Sequence, residues 1–225
     1  MILHQLIQAM SELSAMQRFA INILPVIFAI TVHEAAHGYV AKYFGDMTAY
    51  QMGRISLNPI RHIDPVGTLL IPAIALFFGG IMFGWAKPVP VDFGRLRQPK
   101  RDMLWVAAAG PAVNLVMAII WALAINLSPR LPPYFGLPLG LMGVAGIQIN
   151  VMLMVLNLLP LPPLDGGRIM VSLLPSRLAW QFAKIEPYGF IILLVLMFSN
   201  ILGAILLPFI RVVETLIVST VLLQG

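Results

Sequence analysis

The sequence predicts an all-α polytopic membrane protein, and three observations carry that prediction. First, 60% of its 225 residues are hydrophobic and only 10% are charged, against about 25% charged residues in soluble domains. Second, the mean hydropathy is +0.91. Third, the apolar residues form several runs long enough to cross about 30 Å of hydrocarbon. About five to six membrane segments are expected. They comprise a three-helix core, a membrane-embedded hairpin and a C-terminal helix pair, in a single domain over residues 1–225.

Other broad classes fall away on composition. The net charge of +5 fits Lys and Arg gathered in cytoplasmic loops. No basic tract is interleaved with aromatic residues, so nucleic acid is not an expected partner. With no cysteine, disulfide and thiolate chemistry are excluded. The N-terminus carries no basic n-region followed by a small-residue cleavage site, so no cleaved signal peptide is read.

Residues 1–18 place Leu3, Leu6, Ile7, Met10 and Leu13 at helical spacing among polar residues, the pattern of an interfacial helix. The first span is expected over about Ala20–Phe44, with Pro25 in its first turns, where proline is least disruptive, and Gly45-Asp46 as its stop. Within this run stands His33-Glu34-Ala35-Ala36-His37. Histidines at i and i+4 lie on one helix face, one turn apart, and can reach one zinc ion. Glu34 between them can act as general base on zinc-bound water. A solvated helix face is the ordinary alternative, but the apolar flanks weigh against it. Ionisable groups at membrane depth are costly unless paired or bound to metal.

The 48–65 loop alternates in part and admits a short β element beside the site. An exposed strand edge there could hold an unwound substrate by strand addition. His62 and Asp64 read as a hydrogen-bonding pair of that loop. Val66–Trp85 is apolar but broken by Pro72, Gly79 and Gly80. A basic loop follows, with Lys87, Arg95, Arg97, Lys100 and Arg101. Met103–Leu127 is the next span; its Asn114 needs a partner in the membrane, either another helix or substrate. A turn over Ser128–Pro138 leads to a span over Gly140–Leu159. Beyond it, Pro160, Pro162 and Pro163 prevent regular helix ahead of Asp165-Gly166-Gly167. Asp165 alone reads as a turn or cap residue; beside two histidines lacking a third ligand, it is the best oxygen donor in the chain. A polar connection over Ser172–Pro187 precedes two more apolar runs, Tyr188–Leu207 and Pro208–Leu223, the latter with the Arg211–Glu214 pair.

Depth and charge decide the topology. His33 and Asp165 can meet only if their spans run the same way. A full crossing by Val66–Trp85 would separate them by roughly half a bilayer at about 1.5 Å per residue. Reading Val66–Trp85 as a re-entrant hairpin restores the match. It also places Arg54, Arg61, the Lys87–Arg101 cluster, Arg168, Arg177 and Lys184 on one side, with Arg18 and Arg130 opposite. The site is therefore expected near the cytoplasmic side of the cell membrane.

Three separated motifs, His33–His37, Gly110-Pro111-Ala112-Val113-Asn114 and Asn157 through Asp165-Gly166-Gly167, resemble those of the site-2 protease family of intramembrane zinc metalloproteases. The match runs from the first span to about Arg168. It is to the compact prokaryotic branch, without PDZ or CBS modules. The resemblance implies a catalytic core within 20–168, one catalytic Zn2+ held by His33, His37 and Asp165, and Glu34 as base. It further implies that Asn157 and Asn114 contact an unwound substrate or its oxyanion. The expected partners are the lipid bilayer and transmembrane protein substrates, with a separate regulatory membrane protein as a further candidate. The expected reaction is zinc-dependent hydrolysis of peptide bonds in or near transmembrane segments. A zinc-binding scaffold or chaperone without catalysis is the alternative, which intact Glu34 disfavours. A transporter would need repeats or an ionisable path along the spans, and neither is visible.

Overall fold

The computed structural model describes residues 2–62, 64 and 87–222. The expected hairpin at Val66–Trp85 lies outside the described residues. Helix α1 (Ile2–Glu12) is followed by α2 (Ala15–Tyr43). A capping box starts α2: Gln17 N–H donates to Ser14 Oγ, and Ser14 N–H donates to Gln17 Oε1, satisfying two donors that a helix start leaves unpaired. Because α2 begins at Ala15, Pro25 falls in its interior and is fully buried, not in its first turns as the sequence suggests.

Gly45, at φ +109°, turns the chain out of α2 in a conformation that costs glycine little. Asp46 then accepts from Thr48 N–H and Thr48 Oγ–H, which starts the short helix α3 (Thr48–Gln51). The expected β element of the 48–65 loop is absent among its described residues, which form α3 and a 3-10 turn at Pro59–His62. The physical reason is local competition: Ser56 Oγ accepts from Asn58 N–H and Asn58 Oδ1 from Ile60 N–H, so side chains offer turns what a strand partner would offer a strand.

The core is α2 packed on α4 (Pro99–Leu127) and α5 (Pro133–Asn157). Small residues let α4 and α5 approach closely. Ala118 and Ala122 are fully buried, and Gly143 and Gly146 leave the space that Ile125 and the Trp121 ring fill. Leu6 of α1 lies over Gly140, so the first helix is docked on the bundle by its apolar face.

Beyond α5 the chain winds through Leu158–Leu164, with a cis bond between Pro162 and Pro163, into α6 (Asp165–Leu173), α7 (Ser176–Ala183), α8 (Glu186–Phe198) and α9 (Ile201–Ile217). The stretch read as a polar connection is thus largely helical. The C-terminal pair breaks at Asn200, which adopts φ 60°, and not at Pro208, which sits inside α9. Asparagine tolerates the left-handed conformation that ends a helix. Among the described residues four helices are long and apolar enough to cross a membrane, and a fifth span exists if α7 and α8, bent by 60°, cross together. The chain is a multi-pass membrane protein.

Candidate metal centre

Helical spacing puts His33 and His37 one turn apart on α2, with Nε2 atoms 3.1 Å from each other. Asp165, the first residue of α6, completes the group: its Oδ2 lies 3.2 Å from His33 Nε2 and 3.4 Å from His37 Nε2. It comes from 128 residues further along the chain than His37, through the irregular segment the prolines create. Gly166 and Gly167 let the first turn of α6 rest on that segment, because a Cβ on either would overlap backbone atoms of Leu158, Leu159, Leu161 and Pro162. The expectation that the two ends meet is fulfilled in geometry.

The donor set fits a metal ion on three counts. One ligand atom from each of the three residues lies within 4.8 Å of the others, and no second such group occurs among the described residues. Asp165 Oδ2 is buried without a hydrogen-bond partner, a costly state for a carboxylate oxygen unless a cation shares the site. The far nitrogen of each ring is already engaged. His37 Nδ1 lies 2.7 Å from Val106 O and His33 Nδ1 lies 2.5 Å from Asn114 Oδ1. Val106 O can only accept, so His37 carries hydrogen on Nδ1 and presents its Nε2 lone pair toward Asp165; with Asn114 Oδ1 turned to it, His33 does the same. Such outer partners fix ring orientation at metal sites.

Glu34 lines the same cavity as His33, His37 and Asp165. Its Oε2 accepts from the backbone N–H of Val89 at 2.8 Å. Val89 belongs to a strap, residues 87–92, tied at both ends. Lys87 N–H donates to His62 O, Arg54 donates to the carbonyls of Lys87 and Pro88, and Asp92 N–H donates to Asp46 Oδ2. Gly38 on α2 makes room for it, facing Ile55 and Val89 side chains. Burial pushes the Asp46 carboxyl up, but the bonds from Thr48 and Asp92 and the nearby Arg95 charge outweigh it and hold the group below the usual carboxylate range.

Two cavities meet at His33 and Glu34. One, of about 570 Å³, is mainly apolar and runs between α2, α5 and α8, lined by Ile30, Leu153, Asn157 and Leu193. The other, of about 330 Å³, reaches His37, Val89, Asp165 and Arg168. Asn157 lines both, while one of its amide hydrogens bonds Leu153 O at 3.0 Å.

Asn114 is placed differently from the expectation of a substrate contact. It is 0% exposed, its oxygen is taken by His33, and its amide donates to Asn150 Oδ1 at 2.9 Å. With both ends engaged in the interior, it can meet no substrate in this arrangement. His62 bonds Ser56 O at 2.8 Å and, like Asp64, stands outside the metal group.

The sequence reading passes over Val89 and Asn150, and takes Gly110 only as part of a motif. Asn150 had a visible signal, a polar side chain within an apolar span. Gly110 faces the ligand nitrogens: a Cβ there would lie 2.5 Å from His33 Cε1 and 2.6 Å from both Nε2 atoms. Its role is legible only once the helices are packed.

Comparison with known proteins agrees with this geometry. The model of Peptidase family M50 matches residues 135–199. YwhC of Bacillus subtilis, named as a zinc metalloprotease, is 40% identical over 190 residues, covering 83% of this chain and 84% of that protein. Rip2 of Mycolicibacterium smegmatis, also named as a zinc metalloprotease, is 30% identical over 186 residues, covering 82% and 69%. Rip2 of Mycobacterium tuberculosis is 30% identical over 185 residues with the same coverage. No solved structure matches the chain.

Proposed function

Because the chain belongs to peptidase family M50, the site-2 protease family of zinc metalloproteases, we propose that this endopeptidase hydrolyses peptide bonds within or beside the transmembrane segments of membrane-protein substrates. The observation that carries the reading is the union of a buried His33–His37–Asp165 group with an apolar cavity that opens between helices at the same two residues, His33 and Glu34. A soluble substrate would not need an apolar approach between spans.

In this reading His33, His37 and Asp165 hold one zinc ion. When bound, zinc supplies a Lewis acid that polarises a carbonyl and acidifies water. Glu34 takes the proton of the attacking water and returns it to the leaving amine. Val89 N–H holds the Glu34 carboxylate at one oxygen, leaving the other for that proton. Asn157, where the two cavities meet, contacts the substrate backbone once it has unwound; intrahelical bonds otherwise shield its carbonyls. The apolar cavity takes substrate side chains. The basic residues Lys87, Arg95, Arg97, Lys100 and Arg101, with Arg168 and Arg177, support a site toward the cytoplasmic side of the cell membrane. The substrates are transmembrane proteins, and a regulatory membrane protein remains a candidate partner.

The test is cleavage of a panel of single-span substrates by wild type and Glu34→Gln, with zinc content measured in each. Both proteins should hold one zinc per chain, and only wild type should cleave. Cleavage retained in Glu34→Gln would overturn the base assignment. Zinc in both with cleavage by neither across the panel would favour the non-catalytic scaffold.

A further inference from the structure

We infer that Asn150 is a positioning residue: acting through Asn114, it dictates which nitrogen of His33 is free to bind metal. The inference rests on the metal-site reading given above.

An asparagine amide has an acceptor end and a donor end of nearly the same shape, so it fits a buried slot either way round. A neutral imidazole also has two forms, with hydrogen on one nitrogen or the other. A buried His–Asn–Asn chain therefore has two self-consistent polarities, and something must select between them. Here the selector is a backbone carbonyl, which can only accept. Asn150 Nδ2 lies 2.8 Å from Gly146 O, so that end of Asn150 donates. Its Oδ1 then faces Asn114 Nδ2 at 2.9 Å and must accept. Asn114 Oδ1 in turn faces His33 Nδ1 at 2.5 Å. The hydrogen is thereby placed on Nδ1, and the lone pair on the Nε2 that faces Asp165 and His37.

The reversed chain would aim Asn150 Oδ1 at Gly146 O, setting two acceptors against each other. Asn114 and Asn150 are both 0% exposed, out of reach of bulk solvent, and a buried unsatisfied group costs about 1–3 kcal/mol. In the reversed chain His33 would carry its hydrogen on Nε2 and could not ligate. His37 needs no such relay, because its Nδ1 meets Val106 O directly. One ligand is fixed by a carbonyl at first hand and the other by a carbonyl two amides away.

The rival is that Asn150 only glues α4 to α5. The two are separated with full-length protein in detergent, labelled with 15N-histidine, by reading ring-nitrogen shifts in the zinc-stripped state and zinc affinity by chelator competition. Wild type should show hydrogen on Nδ1 of both His33 and His37. In Asn150→Leu, His33 should become a mixture of forms while His37 stays unchanged. Zinc affinity should fall about 10- to 100-fold, the usual effect of losing an outer partner. In an Asn114→Asp background the Asn150→Leu effect should vanish, since a carboxylate accepts whichever oxygen faces His33. An unchanged His33 ring and unchanged affinity in Asn150→Leu, or an equal loss in the Asn114→Asp background, would overturn the inference. Should Asn150→Leu not fold, Asn150→Ala removes the same acceptor with a smaller side chain, and the same ring shifts and zinc affinity are read in it. Failure of wild type to bind zinc would overturn the metal reading itself, and the ring shifts of zinc-free protein would still decide the role of Asn150.

Discussion

The N–H of Val89 donates to Glu34 Oε2 at 2.8 Å across 55 positions of sequence. Val89 stands between Pro88 and Pro90, neither of which has an N–H to give. It is therefore the one donor that this part of the strap can offer, and it is spent on the carboxylate between the two histidines.

That contact can be removed without touching Glu34. Val89→Pro deletes the donor; Val89→Ala keeps it and trims only the packing over Gly38. A hydrogen bond to a charged group contributes about 1.5–3 kcal/mol, so Val89→Pro should lower kcat by about 10- to 100-fold with zinc content unchanged. Val89→Ala should stay within a few-fold of wild type. Equal losses in the two would assign the strap to packing alone.

Gly110 predicts the opposite pattern, loss at the metal first. Its Cα approaches the ligand face so closely that an added methyl would crowd both Nε2 atoms. Overpacking costs about 1–3 kcal/mol. Gly110→Ala should therefore weaken zinc binding by about 10- to 100-fold, measured by chelator competition, and lower activity in parallel at limiting zinc. Full zinc affinity in Gly110→Ala would show that α2 and α4 can separate without disturbing the ligands.

These residues mark where sequence reading succeeds and where it stops. His33, Glu34 and His37 are legible because helical geometry turns i, i+4 into one face, and the apolar flanks make an ordinary solvated face unlike them. Asp165 is legible because prolines and glycines announce an irregular segment, and one carboxylate sits on it. The spans are legible from length and hydropathy. The 48–62 turns are not: alternation suggests a strand, while Asp46, Ser56 and Asn58 claim the backbone locally. Asn114 is seen as a polar residue in need of a partner, but the choice between helix and substrate depends on which residues of α5 face it. That is a property of packing, and Gly143 and Gly146 set it by letting the Trp121 face of α4 close on α5.

Asp46 predicts a pH effect on stability. Its folded carboxyl sits below the usual range, so its contribution is fully present above the unfolded value of about 3.9. That contribution is lost as pH falls through the lower folded value. Asp46→Asn should destabilise the protein by about 1–3 kcal/mol at pH 7, because it weakens the bonds that start α3 and anchor the strap at Asp92. The difference in Tm between the two proteins should shrink as pH is lowered toward the folded value. A Tm gap that stays constant from neutral to acid pH would show that the carboxylate charge contributes nothing.

The apolar cavity makes a prediction about substrate size. Ile30 lies one turn before Glu34 on the same face of α2 and lines the 570 Å³ cavity. Ile30→Trp would fill part of that space with a ring, at some distance from the ligand nitrogens. If the cavity receives side chains of an unwound transmembrane segment, cleavage of a single-span substrate should fall by about tenfold or more, equivalent to about 1.4 kcal/mol of binding in the transition state. Substrates with small residues around the cut should be affected least, and zinc content should not change. A uniform loss across small and large substrates would place the obstruction on the water path, and an unaffected rate on every substrate would mean that the substrate approaches Glu34 from the smaller cavity, beside Val89 and Asp165.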